Sequence, residues 1–160
     1  MRKKTIASLL LVTSVSLSGC SITPETESSP SAWSAYQQFK RELENNPKNP
    51  AFDRHLASDW IELFDGAEGD ELSELKNFAA YPVWLSNTRA HYEKASESGY
   101  CLSANGTAFD GSPGTVSVEY VREQDQVKAS EIHYQYWENE SEFPDEAKCP
   151  GDFELGFPES

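Results

Sequence analysis

The spacing of apolar residues changes from a helical period in the first half of the chain to a two-residue period in the second. In the first half, apolar residues recur at intervals of three and four, which is typical of helices that bury one face. This spacing predicts four helical segments, over residues 32–43, 52–63, 72–79 and 84–95. Asn45-Asn46-Pro47 favours the end of the first helix, and Asn49-Pro50 favours the start of the second. Pro82 breaks the chain before the fourth segment, and Gly99 ends it.

In the second half, apolar and polar residues alternate, which indicates strands with one buried face. The three alternating segments are residues 100–104, 116–120 and 132–136. Their connections are short and contain Gly, Asn and Asp, so we expect the strands to pair as an antiparallel meander. The predicted fold class is α+β, with N-terminal helices packed on a three-stranded antiparallel sheet and an irregular C-terminal tail from Asn139 onward.

This order of elements, with helices first and an antiparallel sheet afterwards, resembles the cystatin-like and nuclear-transport-factor-like cone folds. In those folds a helix packs into a curved sheet, and the hollow between them can hold a small ligand. The resemblance rests on element order alone. It implies, as one alternative, a cone-like domain whose pocket binds or converts a small molecule.

The first 19 residues have the pattern of a bacterial export signal. Arg2, Lys3 and Lys4 precede an uncharged, mostly apolar run over residues 5–17, which is shorter than the ~20 residues of a membrane-spanning helix. The run ends in Leu17-Ser18-Gly19-Cys20, which resembles the lipobox of bacterial lipoproteins. That resemblance implies cleavage before Cys20, a diacylglycerol on its thiol, and a further fatty acid such as palmitate on the new amino group.

The lipobox resemblance also implies a location. Two or three acyl chains anchor a protein firmly, whereas one myristoyl chain binds only marginally. Ser21, rather than Asp, follows the cysteine, which resembles the pattern of Gram-negative lipoproteins that are sent to the outer membrane. We therefore expect the chain to be lipid-anchored in the cell envelope, facing the periplasm if the cell is Gram-negative.

The remaining sequence divides into a tether and one domain. Residues 20–31 follow the signal peptide 1–19 and are rich in Ser, Thr, Pro and Glu without apolar periodicity, which predicts a flexible tether. Residues 32–160 have the length of one typical domain.

Two cysteines remain when Cys20 is lipidated. An even pair in an exported chain predicts a disulfide, here between Cys101 and Cys149. Such a bond would fasten the C-terminal tail to the domain. A metal pair is the alternative, but neither cysteine lies in a Cys-x-x-Cys motif or near a histidine.

The mature chain is strongly acidic. The sequence has 13 Lys and Arg against 27 Asp and Glu, and loss of Arg2, Lys3 and Lys4 leaves a charge of about −17. Such a surface disfavours nucleic acid and anionic headgroups, because a phosphate-binding protein needs a basic footprint. We expect the charge either to maintain solubility or to attract cationic proteins, peptides or divalent metals.

The sequence carries no familiar catalytic or cofactor motif. GxSxG, HExxH, P-loop and dinucleotide-binding patterns are absent, and His55, His91 and His133 have no metal-ligand spacing. The acidic segment 65–71 does not continue into the oxygen ligands of an EF-hand, which favours a solvated loop. The sequence therefore predicts no catalytic residue, no metal site and no cofactor, and it leaves enzymatic activity open.

The last predicted strand carries the candidate ligand-binding residues. Its alternation places Tyr134 and Tyr136 on one face and His133 and Trp137 on the other. An exposed aromatic pair can stack on a sugar or peptide, or accept a cation on its ring faces. We select His133, Tyr134 and Trp137 as the candidates. In the alternative arrangement the tail covers the second face with Phe143, Phe153 and Phe157.

These features together predict a membrane-anchored envelope lipoprotein whose acidic domain is a non-enzymatic binding or structural module. Its expected partners are the membrane, through the lipid anchor, and a cationic protein or an envelope polymer. The cone-like pocket domain is the alternative function.

Overall fold

The computed structural model describes residues 31–153, in which helices precede an antiparallel sheet. The helices are α1 (Ala32–Asn45), α2 (Phe52–His55), α3 (Ser58–Gly66) and α4 (Gly69–Ala79), followed by a 3-10 turn over Tyr81–Val83. The strands are β1 (Leu85–Ala95), β2 (Gly99–Ala108), β3 (Pro113–Glu123) and β4 (Gln126–Tyr136). The predicted signal peptide 1–19 and the tether 20–31, apart from Ser31, lie outside the described residues. No helix between residues 31 and 153 is long and apolar enough to cross a membrane.

Helix α1 begins where the tether ends, and two groups satisfy its free N–H groups. The Ser31 side chain accepts a hydrogen bond from the Ser34 N–H at 3.1 Å. The Glu93 carboxylate accepts the N–H groups of Ala32 and Trp33 at 3.0 and 3.1 Å. A carboxylate at a helix N-terminus is also stabilised by the helix dipole. The predicted apolar face of this helix is confirmed, since Ala32, Tyr36, Phe39 and Leu43 are its buried residues.

The predicted second helix is divided into α2 and α3. The chain is extended at Leu56 and Ala57, between the two helices. There the Ala57 N–H donates to the Ala129 carbonyl of β4 at 2.8 Å, and Leu56 is fully buried. Burial of Leu56 and the hydrogen bond to β4 interrupt the predicted continuous helix. The predicted apolar face therefore does not extend along α3, and Leu63 at its far end is 53% exposed.

The sheet has four strands rather than the three predicted, in the order β1-β2-β3-β4. Residues 85–95, predicted as a helix, form the edge strand β1, and that prediction is wrong. Strand β2 is buried on both faces over residues 101–106, so it needs a hydrogen-bonded neighbour on each edge. Main-chain pairing with β2 holds β1 in place, and Leu85 is the only buried residue of β1. Because the strand is largely exposed, its sequence shows little alternation of apolar and polar residues, so the pattern did not predict it.

Gly106 offers a test of this fourth strand. It lies opposite Thr88 of β1, and a Cβ at this position would lie 2.0 Å from the Asn87 carbonyl oxygen. We expect Gly106→Ala to lower the free energy of unfolding by about 2–3 kcal/mol, since a main-chain atom cannot move aside without separating the strands. Urea unfolding monitored by circular dichroism measures the change.

Gly66→Ala is the matched control, because a Cβ there meets nothing within 4 Å. Its expected effect is within about 0.5 kcal/mol. Equal stability of Gly106→Ala and the unmodified chain would contradict the pairing of β1 with β2.

Aromatic side chains fill the space between the helices and one face of the sheet. Tyr36, Phe39, Tyr81 and Tyr120 are at most 1% exposed and pack on the buried aliphatic residues of β2 and β3. The hydroxyls of Tyr81 and Tyr120 lie 2.8 Å apart and share a hydrogen bond. Burial raises the pKa of both groups far above the usual range, so this bond stays between neutral hydroxyls.

The opposite face of the sheet is polar, and the C-terminal tail covers it. Four fully or almost fully buried residues form a polar strip there: Ser103, Asn105, Thr115 and Ser117. The Lys148 N–H donates to the Ser103 hydroxyl at 2.9 Å, and the Asn105 amide donates to the Pro144 carbonyl at 2.7 Å. The predicted Cys101–Cys149 disulfide is present and fastens the tail to β2. The structure is therefore α+β, with helices on one face of the sheet and the disulfide-bound tail on the other.

Candidate functional site

The three histidines lie in different parts of the fold. His55 is buried, stacks on Phe39 and bonds through Nε2 to the Glu42 carboxylate at 2.9 Å. This hydrogen bond, with that from the Ala51 N–H, holds the pKa of Glu42 below its usual value. The pair joins α1 to α2. His91 stacks on Trp33 of α1 at a centroid distance of 3.9 Å.

The candidate residues of β4 lie on opposite faces of the sheet. His133 faces the tail and stacks on Phe153 with ring centroids 4.2 Å apart. Trp137 also lies on the tail side, where its indole N–H donates to the Thr115 hydroxyl at 2.8 Å. Tyr134 packs on the helix side, and its hydroxyl donates to the Phe78 carbonyl. Tyr134 therefore does not share one site with His133 and Trp137.

A surface cluster of aromatic residues adjoins Tyr134. The Tyr134 ring lies 4.9 Å from Phe78 of α4 and 5.0 Å from Trp84, and Trp84 lies 5.0 Å from Tyr136. The main-chain carbonyl of Trp84 accepts the N–H of Phe109 at 3.0 Å, which adds the turn between β2 and β3. We call this surface the aromatic end and define it by six residues: Phe78, Val83, Trp84, Phe109, Tyr134 and Tyr136.

The aromatic end is unusually exposed. Within residues 31–153, five large apolar side chains count as exposed, and four of them belong to it. These are Phe109 at 70%, Tyr136 at 46%, Phe78 at 44% and Val83 at 39%. Single exposed apolar residues are ordinary, but Phe78 and Tyr136 are joined by ring contacts through Tyr134 and Trp84, and such a connected group marks an interaction surface.

The aromatic end is held rigidly by the sheet beneath it. A Cβ on Gly114 of β3 would lie 2.5 Å from the Trp84 ring, so the indole packs directly on the glycine main chain. The Tyr134 and Tyr136 rings lie beside this indole. Burial also raises the pKa of Tyr134 well above its usual range, which keeps its hydroxyl neutral. This surface is therefore suited to binding by its ring faces rather than to proton transfer.

Exposed acidic side chains lie along α3 and α4, the helices that lead to the aromatic end. The exposed acidic residues of α3, of α4 and of the two-residue link between them are Asp59, Glu62, Asp65, Glu68, Asp70, Glu71 and Glu74. Glu74 precedes Phe78 by one turn, Asp110 follows Phe109, and Glu138 follows Tyr136 by two residues. The predicted acidic loop 65–71 is thus mostly helical, and no group of three or more potential metal ligands occurs between residues 31 and 153.

A cleft lies beside the middle of β4, at residues 130–133. It has a volume of about 430 Å³ and is bounded by Trp60 of α3 and by Pro150, Gly151 and Phe153 of the tail. Main chain and side chains of residues 130–133 form its floor. It reaches His133 but neither Tyr134 nor Trp137. Neither the aromatic end nor this cleft was predicted from the sequence, in which Trp84 was assigned to a helix face and Phe78 to no site.

Comparison with protein-family models, curated proteins and solved structures finds no match to this chain.

Proposed function

We propose that this chain is a lipid-anchored lipoprotein of the bacterial cell envelope whose acidic domain binds a cationic protein segment at the aromatic end. The observation that carries the proposal is the connected group of rings of Phe78, Tyr134, Trp84 and Tyr136, which is fixed on Gly114, is exposed at Phe78 and Tyr136, and has acidic residues beside it. The lipobox at Leu17–Cys20 supports the anchor, and Ser21 supports delivery to the outer membrane of a Gram-negative cell.

The chemistry of the surface favours a cation. The face of an aromatic ring attracts Lys and Arg, and carboxylates beside the ring attract the same cations by their charge. Glu74, Asp110 and Glu138 provide carboxylates near Phe78, Phe109 and Tyr136. A net charge of about −17 also draws a cationic partner toward the domain by long-range attraction. The function proposed is binding, because the described residues bring no nucleophile and base together at this surface.

The test uses a defined probe rather than an extract. The chain from Ser21 to Ser160, which keeps every described residue, is titrated with a peptide of about ten residues in which Lys and Val alternate. Isothermal titration calorimetry at low and at high salt measures the affinity. We expect binding at low salt that weakens as salt screens the charges, and no binding of the corresponding Glu-Val peptide.

Substitutions locate the binding surface. We expect Trp84→Ala to weaken binding by at least about tenfold, since ring anchors at the centre of an interface carry most of the affinity. Tyr136 is more exposed than Trp84, so Tyr136→Ser is less able to disturb folding. It should also weaken binding of the peptide. Leu63→Ser is the matched control, because Leu63 is exposed to a similar extent, at 53%, but lies on α3 and is not one of the residues of the aromatic end.

Two results would contradict the proposal. One is equal affinity of the Trp84→Ala, Tyr136→Ser and Leu63→Ser variants for the Lys-Val peptide. The other is binding of soluble cell-wall glycan fragments, but not of the peptide, that depends on Trp84, which would assign the surface to an envelope polymer.

A further inference from the structure

The outer edge of β4 is open where it passes the aromatic end. The Trp137 N–H donates to the Pro113 carbonyl of β3, so residue 137 directs its main-chain groups inward. The pairs of β3 and β4 continue without irregularity from Gly114–Tyr136 to Glu119–Glu131. Main-chain direction alternates along an antiparallel strand, so residues 131, 133 and 135 also point inward, and Ile132, Tyr134 and Tyr136 point outward.

Within residues 31–153, two of these three residues have outward main-chain groups without a partner, whereas the Tyr136 carbonyl accepts a hydrogen bond from the Gln135 side-chain amide at 2.7 Å. The N–H and C=O groups of Ile132 and Tyr134 have no hydrogen-bond partner among residues 31–153. Nearer the start of β4 the edge is closed, because Ala57 donates to the Ala129 carbonyl and Trp60 donates to the Ser130 carbonyl at 2.9 Å. The open stretch therefore begins at the cleft beside Trp60 and ends at the aromatic end.

The other edge of the sheet is less suited to pairing. Strand β1 has two irregularities in its register, between Leu85 and Asn87 and between Thr88 and Ala90. Bulges of this kind twist an edge and protect it against the addition of further strands. The pairing of β4 with β3 has one irregularity, between Glu119 and Tyr120 of β3. It lies before the open stretch of β4.

The two faces of this open edge differ in chemistry. Ile132, Tyr134 and Tyr136 lie on the helix face, and Ile132 and Tyr134 pack against the core. Glu131 lies on the tail face, directly opposite Glu119 of β3. Like charges at directly opposed positions of a sheet repel, and Glu131 has no ion-pair partner within the described residues. A basic side chain beside Glu131 would relieve that repulsion.

We infer that the cationic partner adds to the sheet as a fifth strand, paired with the outer edge of β4 at Ile132 and Tyr134. Its residues would alternate, with apolar side chains on the helix face against Tyr134 and Phe78, and Lys or Arg on the tail face beside Glu131. The cleft between Trp60 and Phe153 admits the end of this strand. This mode of binding obtains its affinity from main-chain hydrogen bonds and its specificity from alternate side chains. The inference rests on the proposed function, for which it specifies the conformation and pattern of the partner.

Amide hydrogen exchange tests the pairing directly. In the chain Ser21–Ser160 saturated with the alternating Lys-Val peptide, we expect exchange of the Ile132 and Tyr134 amides to slow by at least about tenfold. Amides that point inward, such as that of His133, are already bonded and should change less. A second peptide of the same composition, with Lys-Lys-Val-Val repeats, places both residue types on both faces and should bind at least about tenfold more weakly.

A charge reversal tests the proposed contact with Glu131. We expect Glu131→Lys to weaken binding of the alternating peptide by about tenfold. Glu97→Lys changes the net charge equally in the turn between β1 and β2, and it should weaken binding much less.

The outcomes separate this inference from the proposed function. If the alternating peptide binds in a Trp84-dependent manner while the Ile132 and Tyr134 amides exchange unchanged, strand addition is overturned and the aromatic binding surface stands. If no cationic peptide binds, both fail. If these amides are protected without peptide, in a concentration-dependent way, the edge pairs with a second copy of the chain and the assigned partner is wrong.

Discussion

Replacement of Cys20 by Ala is expected to abolish attachment of fatty acid to the protein. The thiol of this residue is the acceptor that the lipobox resemblance implies, and alanine offers no substitute. Without acyl chains, each CH₂ of which contributes about 0.8 kcal/mol to membrane binding, the acidic domain has no comparable attraction to a membrane. Metabolic labelling with a tagged palmitate should therefore label the unmodified protein and leave the variant unlabelled.

Fractionation completes this test. A chain exported behind an ordinary cleavable signal, so that it begins at Ser21, should move almost entirely from the membrane fraction to the soluble envelope fraction. Ser21→Ala, a small change next to the acceptor, should keep both the label and the membrane location. Labelling of Cys20→Ala, or persistence of the Ser21 chain in the membrane fraction, would contradict the anchor.

Removal of the Cys101–Cys149 disulfide is expected to be the most destabilising change within the domain. The bond joins residues 48 positions apart, and Cys101 is fully buried in β2. On the chain-entropy account, a loop of this length contributes about 4 kcal/mol, and measured values are typically about 2–4 kcal/mol. We expect the Cys101→Ala, Cys149→Ala double variant to lose about 3 kcal/mol and to melt roughly 10–15 °C lower.

Chemical reduction of the disulfide measures its contribution to stability independently of the substitutions. Urea unfolding of the unmodified chain with a reducing agent should match that of the double variant, and the agent should not change the variant. If the double variant and the oxidised chain unfold at the same urea concentration, the tail is held by its other contacts. Those contacts include the Lys94–Asp152 ion pair at 2.8 Å and the hydrogen bonds to the polar strip.

The elements that could be predicted from the sequence are those with strongly buried faces. The face of α1 and the cores of β2, β3 and β4 each place several large apolar residues in register, and the pattern reflects them directly. The disulfide followed from the number of cysteines and the predicted export signal. Strand β1 could not be predicted, because its main-chain pairing with β2 rather than its side chains determines its conformation.

The candidate site was predicted only in part, for a related reason. Alternation in β4 correctly separated Tyr134 and Tyr136 from His133 and Trp137. Of the three phenylalanines predicted to cover the second face, Phe153 stacks on His133, and Phe157 lies outside the described residues. The aromatic end, however, combines residues from α4, the turn before β1, the β2–β3 connection and β4. Phe78 and Phe109 come together with Trp84 only through the meander and the close packing of its ring on Gly114. Sequence spacing contains no signal for such a juxtaposition.

The polar strip has a consequence for biogenesis. Before the disulfide forms, noncovalent contacts such as the Lys94–Asp152 ion pair and the hydrogen bonds to the polar strip hold the tail on the sheet. On the proposed export route, a chain that is still reduced therefore uncovers Ser103, Asn105, Thr115 and Ser117 more often than the oxidised chain does. Hydroxyl and amide groups are readily hydrated, whereas an apolar face of the same size would adhere to other unfinished chains. We therefore expect late oxidation to yield a less stable but soluble intermediate, so that the helix-covered half can assemble while the tail is still free.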